Sequence, residues 1–511
     1  MKLIKRFLYK IKFNFYLKDY LKVMRFRKKT KNSIGILKSE IFDIEYNFDK
    51  YFTNKLFNDL PIDFPIFFRQ YNFLRFINPV KINFFILKIK KFYYPLTNEQ
   101  IKFLKKNGFY INSLISNLLF FVFAIEELFK GLLFYLIINF NFILKFIKFE
   151  KINSYELFIH NLSMNQILSF NKVSHNIQNW VKSKFNINNH TLVHNNRYCK
   201  NQYKFSRLFL PDLNKPSEIL KFNFYFFKYL FFMLIDLLFF RIKQISIFSE
   251  IVKLSCALSK EKDYYKNSYF FFGEIPFFRP LYTYSLGKNV FYIEHQFKIN
   301  SIYLKDEIKD KQIYWKNLTW NNYILWNDDQ KNFIKKNQII DAKYHILGPI
   351  SFGSLNSYEK NYKFQKSILV FDVIPHRRSY TSNHNTFAPV FHENNIIKFL
   401  SDIYKLSDEC SLYIKPKRLQ YLKIFSKKYN YYLKNNTKFN ILNPEYSPVD
   451  MIKRFDKIIC YPFSSTAYIA KEMNKKVCYY DVVGIHEDFG HIINGIPIIR
   501  NFSDLQKWSK N

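Results

Sequence analysis

Apolar and polar positions change their rhythm near residue 245. Before it, two long apolar segments dominate. Leu118 to Leu144 holds two runs, Leu118–Ile125 and Gly131–Leu144, split by Glu126, Glu127 and Lys130; Phe222 to Phe240 is nearly continuous, broken by Lys228 and Asp236. From about Ile245 onward, short strand-like runs alternate with helical patterns and turn residues fall between them. That alternation predicts βαβ units and a parallel sheet. Phe270–Phe272, Val290–Ile293 and Tyr323–Trp326 are expected strands of a first half, which Leu347-Gly348-Pro349 closes as a turn before a polar linker, Ser351 to Lys366.

The second half is more legible. Strands are expected at Ser367–Val373, Cys410–Ile414, Phe439–Leu442, Lys457–Tyr461 and Lys476–Asp481, and helices at Asn394 to Leu406, Leu419 to Lys428 and Thr466 to Met473. Ser447-Pro448-Val449-Asp450 opens a further helix with a Ser N-cap, Pro at the first helical position and an acid at the third. Three regions result: a mostly helical, apolar region over 1–244, a Rossmann-like unit over 245–355 and a second over 367–511.

Each early apolar segment fits a buried core helix, an interfacial helix or a membrane span. A span needs about 20 predominantly apolar residues, and an ion at mid-bilayer costs about 2.5–3.5 kcal/mol. Three charges sit near the centre of the first segment and two in the second. Peripheral association is the most these segments are expected to support. Lys10 and Lys12 interrupt the apolar start of the chain, so no signal peptide is expected.

Composition modifies this picture in one respect. The chain has 511 residues, 48% of them hydrophobic and 23% charged, which excludes a disordered chain. Phe 61 and Tyr 39 against Gly 10, with abundant Lys, Asn and Ile, indicate an AT-rich coding sequence. The formal net charge of +39 reads chiefly as codon bias toward Lys, since the basic residues are spread along the chain rather than gathered in one tract. No nucleic-acid partner is expected, whereas attraction to an anionic inner leaflet follows from such a charge whatever its origin. Five scattered cysteines (Cys199, Cys256, Cys410, Cys460, Cys478) form no CxxC pair and read as reduced thiols of a cytoplasmic protein.

Four places offer chemistry. Tyr461-Pro462-Phe463-Ser464-Ser465-Thr466-Ala467 joins an expected strand to an expected helix, where backbone N–H groups and the helix dipole receive a phosphate; Ser464, Ser465 and Thr466 add three hydroxyls, although one of them alone would suffice as a cap. Lys415-Pro416-Lys417-Arg418 ends another strand of the same sheet and offers cations to a diphosphate, or is simply a solvated basic loop. Asp372 to Arg378 opens a long loop in which His376 and Arg377 are candidates for phosphate or acceptor contact, with an exposed basic loop as the equal alternative. In the first half, Glu294 and His295 follow a strand, and a carboxylate beside an imidazole suits a general base; a plain surface strand end is the competing reading. The sequence lacks an Asp-x-Asp motif, HExxH, a Walker loop and GxGxxG, so no metal and no cofactor is expected, and a nucleotide hydrolase or dehydrogenase is argued against.

On Pro462-Phe463-Ser464-Ser465, Thr466-Ala467, Tyr479-Tyr480-Asp481 and Gly495-Ile496-Pro497, the C-terminal half resembles the bacterial polysaccharide biosynthesis family named for its PFTS motif, with Ser464 in place of Thr. The resemblance covers about 265 to 511 and implies an α/β fold: a GT-B-like pair of Rossmann-type domains in the C-terminal half. It further implies a nucleotide-sugar-dependent glycosyltransferase of capsule, O-antigen or lipopolysaccharide synthesis, acting on a glycan or lipid-linked acceptor. The double-serine turn and the basic-Pro turn also look like those of transferases that use CMP-linked acidic sugars, which carry His-Pro where this chain has Lys415-Pro416. A CDP-polyol phosphotransferase and a non-catalytic, membrane-peripheral scaffold are the alternatives.

Overall fold

The computed structural model describes residues 96–106, 112–147, 157–160, 184–185, 191–194, 213–239, 245–260, 268–272, 279–286, 289–293, 318–338, 340–348, 366–373, 393–416, 427–444, 446–462, 464–484, 492–493 and 495–511, with 67, 71 and 364. The chain divides into two compact units. Lys38–His295 with Ile313–Leu347 make up one, and Gly348–Asn511 the greater part of the other.

The first unit is built on six strands: β1 (Leu157–His160), β2 (Thr191–His194), β3 (Ser268–Phe272), β4 (Val290–Ile293), β5 (Asn322–Leu325) and β6 (Lys343–Ile346). Their order is β2-β1-β3-β4-β5-β6, and every neighbouring pair is parallel. Strands β4 and β5 are buried at every position, as a parallel sheet covered on both faces requires. Two strands of this sheet, β1 and β2, come from within the stretch 1–244 that the pattern presents as helical. Four residues are too short a run to stand out against long apolar helices.

The same unit carries a helical layer: α1 (Asn98–Lys106), α2 (Ser113–Ile147), α3 (Pro216–Leu238) and α4 (Phe248–Leu258). The first apolar segment therefore lies within one helix and the second, as far as Leu238, within another, and among the described residues no helix is long and apolar enough to cross a membrane. Helix α4 is buried along nearly its whole length. Gly131 lets α2 approach it, since a Cβ there would lie 2.3 Å from the Phe248 ring. The charge that interrupts the first apolar segment ties these helices together. Glu127 is buried, accepts a 2.5 Å hydrogen bond from Ser249 Oγ of α4 and pairs with Lys130 at 2.8 Å. Farther along the unit, α5 (Asp328–Asn337) starts at Asn327, whose side chain accepts from the Gln330 N–H, so Asp328 and Asp329 occupy its first turn.

The second unit has seven strands: β7 (Ser367–Phe371), β8 (Ser411–Lys415), β9 (Phe439–Ile441), β10 (Lys457–Cys460), β11 (Lys476–Tyr480), β12 (Ile492–Ile493) and β13 (Ile496–Ile499). The order is β12-β13-β11-β10-β7-β8-β9, with β12 antiparallel at the edge and all other pairs parallel. Counted from β7 without the edge hairpin strand, this is the 3-2-1-4-5-6 order of a doubly wound Rossmann sheet. The helices are α6 (Glu393–Tyr404), α7 (Lys427–Asn435), α8 (Pro448–Arg454), α9 (Ser465–Glu472) and α10 (Phe502–Lys510). Helix α6 shows why the pattern was readable: Ile396, Phe399, Leu400 and Ile403 fall on one face and are fully buried against the sheet, a gain of about 2 kcal/mol per large side chain. Ser447 caps α8 as its Ser-Pro-x-Asp signature predicts, accepting from the Asp450 N–H. Cys460 and Cys478 are fully buried core thiols, and Cys256, Cys410, Cys460 and Cys478 are all free.

Candidate functional site

In a doubly wound sheet, the chain leaves the first and fourth strands toward opposite faces. The crevice between those exits, at the carboxyl edge, is the standard ligand position. Here these strands are β7 and β10, paired in parallel, and the ladder continues past β10 through a 2.9 Å bond from the Tyr461 N–H to the Phe371 carbonyl. The segment around Ser464 to Thr466 and the segment after Phe371 therefore leave the sheet side by side.

Ser464 stands at the N-cap position of α9 in extended conformation, yet its side chain makes no cap hydrogen bond. Its hydroxyl instead lies 2.9 Å from that of Thr466. The contrast within the same chain is direct: Asn327, Ser447 and Asn501 each occupy the same position of a helix and do accept from its backbone. Helix α9 thus begins with a first turn that its own cap residue leaves uncovered, and with three half-buried hydroxyls around it. This is the local arrangement that receives an anion. Behind the loop, the Cys460 thiol lies 3.5 Å from Thr466 Oγ1, and burial pushes its pKa up to about 12, so it stays a neutral packing group.

On the other side of β7, strand β8 ends at Lys415, whose register partner is Phe371. Lys415 is only 4% exposed, and its Nζ donates to the Pro444 carbonyl at 3.1 Å. Burial lowers its pKa to about 8, opposed by the negative charge of Asp372. Asp372, the first residue after β7, is itself buried and accepts from the Tyr429 phenol of α7. The Tyr429 hydroxyl is consequently pushed well above the usual phenol range, first by burial and then by that carboxylate. After β11, the buried Asp481 accepts from the Val483 and Gly484 N–H groups at 3.1 and 3.0 Å and shapes the exit turn, where Gly484 adopts φ +65°. Burial, then the charge of Asp481, also raise the Tyr461 phenol; its oxygen is buried without a hydrogen-bond partner among the described residues.

Of the residues singled out from sequence, Ser464, Ser465 and Thr466 share one turn, and Lys415 lies across β7 from them. Strand spacing puts these two exits about 10 Å apart at the backbone. Lys415 is not a solvated loop cation but the buried last residue of its strand. Lys417, Arg418, His376 and Arg377 lie outside the described residues, as do Glu294 and His295, which follow the end of β4. Sequence reasoning passed over Asp372, Tyr429 and Asp481 as site groups. The signal that could have found them was an acid directly after an apolar strand, in SILVF-Asp372 and KVCYY-Asp481, since a carboxylate is seldom buried unless it is paired.

The family model described as polysaccharide biosynthesis PFTS motif protein matches residues 229–509, more than half of the chain. The chain belongs to the polysaccharide biosynthesis PFTS motif family. In this family member the motif itself reads Pro462-Phe463-Ser464-Ser465 and supplies the N-cap and first residue of α9. No curated protein matches the chain. Among solved structures, the chain is similar to TarM with 13% identity and a TM-score of 0.29, covering 50% of this chain and 51% of that one. The chain thus spans about half the length of TarM. It is also similar to the UDP-GlcNAc 2-epimerase of Methanocaldococcus jannaschii (13% identity, TM-score 0.35, 70% of this chain and 92% of that one). A third similarity is to the α,α-trehalose 6-phosphate synthase of Burkholderia multivorans (7% identity, TM-score 0.34, 69% of this chain and 87% of that one).

Proposed function

We propose that this PFTS-family protein is a glycosyltransferase of bacterial surface polysaccharide synthesis that takes its sugar from a nucleotide-activated donor without a metal. The observation that carries the reading is the uncapped start of α9 at the switch point of the 3-2-1-4-5-6 sheet. The donor diphosphate or monophosphate rests on the first-turn N–H groups of α9 and the hydroxyls of Ser464, Ser465 and Thr466. Lys415 at the end of β8 supplies a cation across β7, and the sequence assigns Lys417, Arg418, His376 and Arg377 to the same donor.

In the reaction, the anomeric C–O bond to phosphate breaks as a bond from the acceptor oxygen to the same carbon forms. The acceptor proton passes to a general base, the role expected of Glu294 or His295 from the sequence, and the electron pair of the broken bond stays on the nucleotide. Fixed N–H dipoles and cations aimed at that departing phosphate are the main source of acceleration, because charge develops there in the transition state. The acceptor is a glycan or lipid-linked sugar, and CMP is one candidate for the donor base.

Thermal denaturation against CMP, CDP, UDP and GDP tests the reading, since a ligand that binds only the folded state raises the midpoint according to its affinity. One nucleotide should raise it in the native protein and fail to do so in Ser464→Ala/Ser465→Ala. A shift that survives the double substitution, or no shift with any nucleotide, removes the donor site from α9 and moves the non-catalytic scaffold ahead.

A further inference from the structure

Helices α2 and α3 are apolar on two opposite faces. Their inner faces are accounted for: Phe120, Ala124 and Ile138 of α2 and Phe222, Phe226 and Met233 of α3 are buried. Tyr135 of α2 stacks on Phe226 of α3 with centroids 3.8 Å apart. Both helices also meet α4 at one residue, Phe248, through Gly131 of α2 and the Phe226 ring of α3. The faces directed away from α4 thus lie on one side of the layer.

Those outer faces are apolar as well. On α2, Phe129, Leu133, Leu136 and Phe140 are 66%, 54%, 61% and 61% exposed; on α3, Leu220, Phe224, Phe227 and Phe231 are 69%, 67%, 56% and 62% exposed. Spacings of three and four residues place each set on one stripe, opposite the buried one. A stripe of this size normally marks a contact with another apolar phase. Spanning is closed to these helices, because none among the described residues is long and apolar enough. At 1.5 Å per residue, α2 and α3 run about 52 and 35 Å, which suits helices lying along a surface.

Charge selects the occupant. Lys221 and Lys228 of α3 are exposed at the border of its stripe, where a long side chain buries its stem and holds its ammonium at a headgroup. The chain as a whole carries +39, which opposes pairing of two copies and attracts an anionic bilayer. We propose that the outer faces of α2 and α3 seat this protein on the surface of an anionic lipid bilayer, with their aromatic and leucine side chains in the acyl boundary.

The proposal stands apart from the donor site, and flotation of the full chain with lipid vesicles tests it. Vesicles containing phosphatidylglycerol should carry the protein up the gradient, pure phosphatidylcholine vesicles far less, and added salt should weaken the association. Phe224→Ser/Phe231→Ser should lower the bound fraction about tenfold or more, as loss of interfacial apolar area demands. Lys221→Glu/Lys228→Glu provides a second variant that leaves the apolar stripe intact, and it should lower binding to the anionic vesicles alone. Absence of binding to either vesicle overturns the proposal, as does binding that both variants retain. A dimer in light scattering that the serine variant dissolves overturns it in favour of a second copy. Nucleotide-induced thermal shifts in the same variants report separately on the donor site.

Discussion

The hydroxyls of Ser464 and Thr466 lie 2.9 Å apart, and this contact replaces the capping bond that the residue before α9 would ordinarily make. Aspartate at an N-cap is as favourable as serine, and its charge suits the helix dipole. Ser464→Asp is therefore expected to keep or slightly raise thermal stability and, on the proposed function, to abolish nucleotide binding by repulsion from phosphate. Calorimetric titration alongside a melting curve checks both halves. A variant that still binds nucleotide with native affinity would show that Ser464 is only a helix-start residue.

Lys415 links stability to pH. Its folded pKa of about 8 lies below the usual lysine value of 10.5, because burial penalises the ammonium. Between those two values the unfolded chain holds a proton that the folded chain has released. Stability contributed by this residue accordingly rises with pH across that window, and the cost of burying the charge is present in full below about pH 8. Denaturation midpoints of the native protein should gain on those of Lys415→Met as pH goes from 8 to 10. Parallel curves would contradict the assignment. On the proposed function, donor affinity should fall over the same rise, as the cation facing phosphate is lost.

Gly131 is held by packing, not by helix preference. Alanine in a helix interior is ordinarily better than glycine by about 1 kcal/mol, but a Cβ at this position would lie 2.3 Å from Phe248. Gly131→Ala is expected to destabilise the protein by about 1–3 kcal/mol, the range for overpacking. Urea denaturation measures it, and Gly131→Ala combined with Phe248→Leu should recover part of the loss. A single variant more stable than the native protein would refute the contact.

Arg279 is fully buried in the first unit and satisfied by neutral groups. It donates to Thr283 Oγ1 at 2.9 Å, the Thr319 carbonyl at 2.9 Å, Asn321 Oδ1 at 2.6 Å and the Thr283 carbonyl at 3.1 Å, and its guanidinium stacks 4.0 Å from the Tyr284 ring. Lysine keeps the charge but not the planar fork. Arg279→Lys should cost about 2–4 kcal/mol in equilibrium unfolding. An effect below about 0.5 kcal/mol, the size of an ordinary surface change, would show the network to be dispensable.

Much of the second unit was legible because its elements follow simple local rules. Val290–Ile293 in the first unit and Phe439–Ile441, Lys457–Cys460 and Lys476–Tyr480 in the second fall within or on the expected strands, since apolar runs of this length bounded by turn residues have few other uses. Helix α6 announced itself through one apolar stripe, and α8 through Ser447 and Pro448. Strands β1, β2, β6 and β13 escaped notice: β6 is a half-exposed edge strand, and β13 carries a proline. Their place follows from their partners rather than from their own composition. The candidate site divides in the same way. Ser464 to Thr466 stood out as a run of hydroxyls, while Asp372 and Tyr429 come together only through contacts 57 residues apart.

What the sequence determined alone was local: the α/β alternation, the caps, the PFTS-type turn and the apolar character of two early segments. Each depends on residues within a turn or two of one another, so the chain's own order carries it. Tertiary structure decided the rest. It placed β10 beside β7 and so set the loop of Ser464 next to the exit of Asp372, and it buried Lys415, lowering its pKa to about 8. It also turned one apolar face of α2 and α3 toward Phe248 and left the other exposed. Burial and strand order depend on contacts between distant segments, and a one-dimensional pattern does not record which of two apolar faces will find a partner.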